Sequence, residues 1–394
     1  MKKRNNLMKI YDRKIVIVNQ AVNYLTIGLC NEFAQKFNKV SLITGSVHSQ
    51  GENLKKSIEI SYINRWQEEH GFSKLYIYTR ALCRIYFLLI SRYFHYEVVF
   101  ISVPPMAYLL SLFLPQRCSA LIWDVYPDIF KITGMKESHP IYRAWAFLNK
   151  LTYRRMFRIF TIGKTMRQMI AQYVDREKII VQPIWSIFQE NSHIPEDANP
   201  FVLEHGLEGK FVVQYSGNIG VTHNVEVLIE VAERLRNEQE ILFQIIGRGP
   251  KKKRIERLIC ERKLNNIQML PFQSDEMFPY SLSAADLGVV SLHESVSRGS
   301  VPSKAYNLMS LGIPGLYIAG ADSELARYAQ EYGNACCFAA KDVDGIAAFI
   351  SQLANNEILH KTLQVRAEIA SKYFRRGNAS RFVESYLAPE KTES

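Results

Sequence analysis

The chain has 394 residues, of which 47% are hydrophobic and 22% charged; that is more than one hydrophobic core organises, and the composition excludes a low-complexity or disordered polymer. Its net charge of +11 is unevenly spread, since residues 1–190 hold 27 Lys and Arg against 13 Asp and Glu, while residues 191–394 hold 22 against 25. Such a basic first half suits a polyanionic partner: nucleic acid, an anionic membrane surface or a phosphorylated substrate.

Taken in order, the chain opens on a basic start with a four-residue apolar run, too short for a signal peptide, so a cytoplasmic protein is expected. Strands are predicted at 14–19 and 39–44. Residues 73–94, SKLYIYTRALCRIYFLLISRYF, form an apolar and aromatic helix with Arg80 and Arg84 in one stripe. That pattern fits a helix lying at a membrane interface and equally a core helix with a thin solvent edge. Residues 98–116 are free of charge over 19 residues, but Pro104 and Pro105 in the middle point to a strand, a turn and an apolar helix rather than a membrane span.

Further strands follow at 97–102, 120–125, 158–163 and 178–183. A polar segment with two prolines, 186–201, marks the domain boundary, placed at 190/191. The second half repeats the alternation, with strands at 210–217, 241–247, 267–272, 285–292 and 315–320. Residues 372–394 read as a closing helix that crosses back to the first domain, with Phe374, Phe382 and Tyr386 on it. Strands apolar on both faces, separated by amphipathic helices, give an α/β chain of two doubly wound domains. The six cysteines show no C-x-x-C spacing and read as reduced thiols without a metal.

Three segments of the second half have chemical content. In YSGNIGVTHN, Gly217 and Gly220 free the backbone between a strand and a helix expected to begin near Thr222 or Asn224; the turn is a phosphate cradle or a plain connection, and a G-x-x-G alone does not decide. In IIGRGPKKKR, Arg248 stands at a strand end within reach of an anion, while Lys251, Lys252 and Lys253 read as a solvated face. In HESVSRGSVPSKAYNLMSLGIP, Glu294 and Arg298 precede a helix that Ser303 can cap. Lys304 in its first turn opposes the helix dipole, a conflict that a bound anion would remove. Phe272, closing IQMLPF, faces a nucleotide base or packs in the core. In the first half, Asp124 and Asp128 of WDVYPD are placed to orient or deprotonate an acceptor hydroxyl, or to cap a loop.

Gly217-Asn218-Ile219-Gly220, Gly247-Arg248-Gly249-Pro250, Ala284-Ala285-Asp286-Leu287 and Val301-Pro302-Ser303-Lys304 with Gly312-Ile313-Pro314 together resemble the family 4 glycosyltransferases, in the branch that builds bacterial surface polysaccharides. The resemblance implies the GT-B architecture: two Rossmann-like domains facing a cleft (1–190 with 372–394, and 191–371), a nucleotide-sugar donor in the second, an acceptor in the first, and retention of configuration without a cofactor or metal. It implies Asp124, Arg248 and Lys304 as catalytic residues. Donor contacts would come from Gly217, Asn218, Gly220, Phe272, Glu294, Arg298, Ser303 and Asn307. The acceptor or membrane would meet Gly28, Arg80, Arg84 and Asp128. Where many members carry two glutamates with seven residues between them, this chain has Gly299 and Asn307.

The expected activity is transfer of a sugar, from a UDP-sugar by the family's usual choice, to a lipid-diphosphate-linked glycan at the inner face of the plasma membrane. An epimerase of the same architecture, and a non-catalytic scaffold or nucleic-acid binder, are the alternatives; the basic cluster lacks the interleaved aromatics of a nucleic-acid module. Oligomeric state is not legible.

Overall fold

The computed structural model describes residues 11–65, 72–188 and 193–389; the expected boundary at 190/191 lies outside them. The described chain divides into two compact units, residues 1–127, 136–187 and 376–394 forming one, and 128–135 with 188–375 the other.

The first unit is built on a seven-stranded parallel sheet: β1 (Tyr11–Val18), β2 (Phe37–Thr44), β3 (Glu59–Tyr62), β4 (Glu97–Ile101), β5 (Cys118–Ile122), β6 (Arg158–Thr161) and β7 (Ile179–Val181), in the order β3-β2-β1-β4-β5-β6-β7. β1 runs IVIV through four fully buried positions, Ile15 to Val18, as a central parallel strand covered on both faces should. The sequence pattern anticipates every strand here except β3, whose EISY has no apolar run and sits at the sheet edge. β5 stops at Ile122, so Asp124 lies two residues beyond the strand rather than directly on its end. The uncharged stretch resolves into β4, a turn and a 3-10 helix at Ala107–Phe113, and no helix among the described residues is long and apolar enough to cross a membrane.

Helix α1 (Tyr24–Lys36) begins at Asn23, whose side chain accepts from the amides of Leu25 and Thr26. Gly28 lies inside α1 and not in an open loop after β1. A Cβ there would come within 2.6 Å of the Trp185 ring, and its carbonyl accepts from Arg376. The expectation that Gly28 serves an acceptor therefore fails, because indole and guanidinium already fill the space beside it. α2 (Phe72–Ile90) and α3 (Pro140–Arg155) are the other long helices of this unit. The chain returns to the unit with α7 (Asn378–Leu387), which packs on α1 through Phe382 and Tyr386, each edge-on to Phe33. Arg376 anchors that return by pairing with Glu52 at 2.7 Å and Glu32 at 3.3 Å. Phe374, expected on the same helix, instead packs in the second unit against Tyr306, because the helix breaks between Ser371 and Asn378.

The second unit has six parallel strands: β8 (Phe211–Asn218), β9 (Ile241–Arg248), β10 (Ile267–Leu270), β11 (Leu287–Ser291), β12 (Gly315–Ile318) and β13 (Ala335–Phe338), in the order β10-β9-β8-β11-β12-β13. β13, reading ACCF, is the strand that the hydrophobic pattern misses. Winding runs one way from β8 to β10 and the other way from β11 to β13, so the topological switch point lies between the carboxyl ends of β8 and β11. Ligands bind at such a point in doubly wound sheets. Helices α4 (Val227–Arg234), α5 (Lys252–Glu261) and α6 (Lys304–Ser310) follow β8, β9 and β11.

Replacing Gly28 by Ala should force Trp185 aside and cost about 1–3 kcal/mol by overpacking. Urea unfolding measures this, and an unchanged midpoint would show that the indole moves without penalty.

Candidate donor site at the switch point of the second unit

β8 and β9 approach each other closely at their carboxyl ends, where Gly217 is paired with Gly247 and Asn218 with Arg248. A Cβ on Gly247 would lie 1.9 Å from the carbonyl oxygen of Gly217, so only glycine fits. Gly217 itself has φ +138 and a different neighbour: a Cβ there would meet Cε of Lys304 at 2.4 Å and its Nζ at 2.7 Å. The glycine that sequence reading assigns to a phosphate thus also opens the path along which Lys304 crosses the end of β8.

Lys304 ends on Tyr215. Its ammonium donates to the Tyr215 hydroxyl at 2.8 Å and stands 3.9 Å from the ring centroid, while that hydroxyl donates to the carbonyl of Asn218 at 2.5 Å. A cation over a π face is attracted to it, but the same burial strips away water, and desolvation pushes the Lys304 pKa down to about 7. Tyr215 is buried and its phenol is held neutral. Among the described residues, Tyr215 is the side chain at this centre that sequence reading passed over, since within an apolar strand it looks like core.

The loop between β8 and α4 is held by its own polar groups. His223 donates its amide to Gly220 O, Asn224 N–H donates to Ser291 Oγ at 3.0 Å at the end of β11, and His293 N–H donates to Thr222 O at 2.7 Å. Turns occupy 221–222 and 225–226, and α4 starts at Val227, later than the expected Thr222 or Asn224. His223 lies close enough to Lys304 and Lys251 that burial and both cations push its pKa down to about 3; it is neutral across the physiological range. Lys251, expected on a solvated face, is instead mostly buried, pairs with Glu226 at 2.6 Å and donates to His223 O at 2.7 Å.

α6 departs from expectation at its start. Ser303 already has helical dihedrals (φ −60, ψ −20) and makes no capping bond; a capping hydroxyl needs extended backbone at its own residue to reach the amides of the first turn, and Ser303 lacks it. At the other end Gly312 takes φ +67 and the amide of Ile313 closes on Leu308 O, so the Gly-Ile-Pro stop behaves as read. Asn307 is buried on α6.

Around this centre, Arg248 is exposed at the end of β9 with its guanidinium 4.8 Å from the ring of Phe272, and Phe272 is itself half exposed. A cation beside an exposed ring offers a phosphate contact next to a stacking face. Asn218 is exposed and Gly220 buried. Glu294 is exposed, whereas Arg298 is engaged with Asp322 at 3.2 Å. In the first unit, Asp124 is half-buried. Asp128 begins the 128–135 segment, is buried, and pairs with Lys131 at 2.8 Å. Arg80 and Arg84 are exposed on α2.

The switch point thus presents a desolvated ammonium, an exposed guanidinium and glycine-loop amides, with no carboxylate on Gly217, Asn218, Gly220, Arg248 or Lys304. That set can accept an anion. Because the charged lysine binds an anion and its own pKa lies near 7, affinity for a diphosphate should fall as pH rises from 6 to 8.5, by roughly tenfold or more, as the ammonium loses its proton. Calorimetry across that range checks it, and Lys304→Arg, which stays charged, should flatten the profile. Tyr215→Phe should weaken the same binding while leaving the fold intact by circular dichroism; unchanged affinity would remove the phenol from the site.

Residues 201–370 match the family described as glycosyl transferases group 1. The chain is 31% identical over 228 residues to the putative colanic acid biosynthesis glycosyl transferase WcaI of Escherichia coli K12, covering 57% of this chain and 55% of that one. It is 25% identical over 255 residues to the probable glycosyltransferase WbjE of Pseudomonas aeruginosa, covering 64% and 63%; the matches span less than two thirds of either relative. Among solved structures, WaaG, a glycosyltransferase involved in lipopolysaccharide biosynthesis, superposes with TM-score 0.68 at 13% identity over 95% of this chain and 100% of its own. HepE of Anabaena, solved with UDP and glucose, superposes with TM-score 0.69 at 15% identity over 95% and 99%. With its motifs in order along a doubly wound sheet, the second unit is a glycosyl transferases group 1 domain, and the chain has the fold of the GT-B glycosyltransferases.

Proposed function

We propose that this chain is a retaining glycosyltransferase of bacterial surface polysaccharide synthesis, moving a sugar from a nucleotide diphosphate, UDP in the first instance, to a lipid-diphosphate-linked glycan. The observation that carries the reading is the crossing of Lys304 over Gly217 at the switch point, where the desolvated ammonium meets the Tyr215 phenol and, among the described residues, pairs with no carboxylate. The group 1 match and the relatives named for colanic acid and for glycosyl transfer support the class of reaction. The complexes of HepE with UDP and with UDP-glucose support the nucleotide. These relatives do not favour an epimerase or a nucleic-acid binder.

In the proposed reaction the acceptor hydroxyl oxygen attacks the anomeric carbon from the side the diphosphate leaves. The bond from that carbon to the diphosphate oxygen breaks, and the departing oxygen takes the hydroxyl proton. Charge accumulates on the diphosphate as the bond lengthens. Lys304 and Arg248 with the amides around Gly220 would meet it without reorganising, and preorganised charge of this kind commonly contributes more to catalysis than any other single effect. No metal is needed in this scheme. Asp124 would orient the acceptor in the first unit, and the basic excess of residues 1–190 suits an acceptor held at an anionic membrane, placing the protein at the inner face of the plasma membrane.

The test is transfer from radiolabelled UDP-sugars to a lipid-diphosphate acceptor. Lys304→Ala should reduce turnover by about 10²-fold or more with an unchanged circular dichroism spectrum, and EDTA should leave turnover as it was. Turnover of a sugar nucleotide to an epimer without acceptor would replace this reading, and full activity of Lys304→Ala would remove the lysine from it.

A further inference from the structure

We infer that the face of the first unit formed by α2, the 3-10 helix at Ala107–Phe113 and α3 is a docking surface for an anionic lipid bilayer. The topology puts these elements in one layer. In the strand order β3-β2-β1-β4-β5-β6-β7, the connections from β3 to β4, from β4 to β5 and from β5 to β6 all step in the same direction, and right-handed crossovers place them on the same side of the sheet. Contacts agree, since the 3-10 helix packs against both α2 and α3. Tyr78 of α2 donates to the carbonyl of Pro105. On the other flank Tyr108 donates to Asn149 at 2.8 Å and receives the indole N–H of Trp145 at 3.1 Å.

This layer turns large rings outward. Phe113 is 70% exposed, Tyr76 66%, Phe147 61% and Phe87 55%. Ile90, Ile141 and Leu151, on the same helices, are exposed as well. A soluble surface has no use for four rings on one layer, and such patches mark contact with a partner or a membrane.

Charge decides between those. The three elements, FSKLYIYTRALCRIYFLLI, AYLLSLF and PIYRAWAFLNKLTYRR, contain no Asp or Glu. Arg80, Arg84, Arg143, Lys150 and Arg154 are all exposed on it. Among the described residues none of these five pairs with a carboxylate. Of the acids on the adjoining strands, Glu59 is paired with Arg92 and Lys39, and Glu97 with Arg13. Exposed rings interspersed with unpaired cations, on helices too short or too charged to span, fit burial at headgroup depth on an anionic leaflet. The inference extends the membrane setting proposed above from one helix to a layer, with α3 contributing as much as α2.

Cosedimentation of the full chain with vesicles tests it. Binding should be strong to vesicles containing phosphatidylglycerol, weak to pure phosphatidylcholine, and reduced by salt. Phe87→Ser with Phe147→Ser, and separately Arg84→Glu with Lys150→Glu, should each lower binding by about tenfold or more, while UDP affinity stays at the wild-type value. Equal partition of wild type and both variants overturns the surface. So does a concentration-dependent dimer that Phe87→Ser with Phe147→Ser converts to monomer, since a second copy would then be the occupant. Loss of vesicle binding alone leaves the transferase reading standing, whereas vesicle binding by a chain that binds no sugar nucleotide overturns that reading and leaves the surface.

Discussion

A lysine side chain laid across a glycine onto the face of a tyrosine is the contact on which the candidate site depends. It needs three residues from one strand end and one helix start: Gly217 without a Cβ, Tyr215 two residues earlier on the same strand, and Lys304 in the first turn of α6. Each tolerates little change. A Cβ at 217 would block the lysine, and a cation elsewhere on α6 would not reach. The dipole of a helix start disfavours a cation, and burial disfavours it further, so the ammonium is held at the edge of deprotonation. An anionic ligand would relieve both penalties at once, and this is why a group that costs stability in the free protein suits the binding of a diphosphate.

The sheet topology places these parts. Reversal of winding between β8 and β11 leaves a gap at their carboxyl ends that no crossover covers. The loop from Gly220 to Asn224 is fastened to the end of β11 by Ser291 and His293, so the amides at the gap are fixed before any ligand arrives. Neutral His223 and the Lys251–Glu226 pair fill the space behind the loop without adding negative charge in front of it.

The doubly wound class was legible because buried parallel strands read as continuous apolar runs, and IVIV, VVFI or LFQII cannot be mistaken for amphipathic helix. β3 and β13 escaped because edge strands need only one covered flank and carry polar or small residues. Within the site, Gly217, Arg248 and Lys304 were legible as punctuation at strand and helix ends, whereas Tyr215 was not, since nothing local separates a core tyrosine from one that carries a lysine. Two readings failed for the same reason. Gly28 and Ser303 were judged by residue type, but Trp185 arrives at Gly28 from far along the chain, and Ser303 takes helical dihedrals that deny it a capping bond.

The most direct test is the pKa of the Lys304 ammonium itself, followed by NMR on protein carrying labelled lysine, with Lys304→Arg to assign the signal. The value should lie near 7 in the free protein and rise when UDP is added, since a diphosphate favours the charged form. An ordinary lysine value near 10.4, unmoved by UDP, would contradict both the buried geometry and the role built upon it.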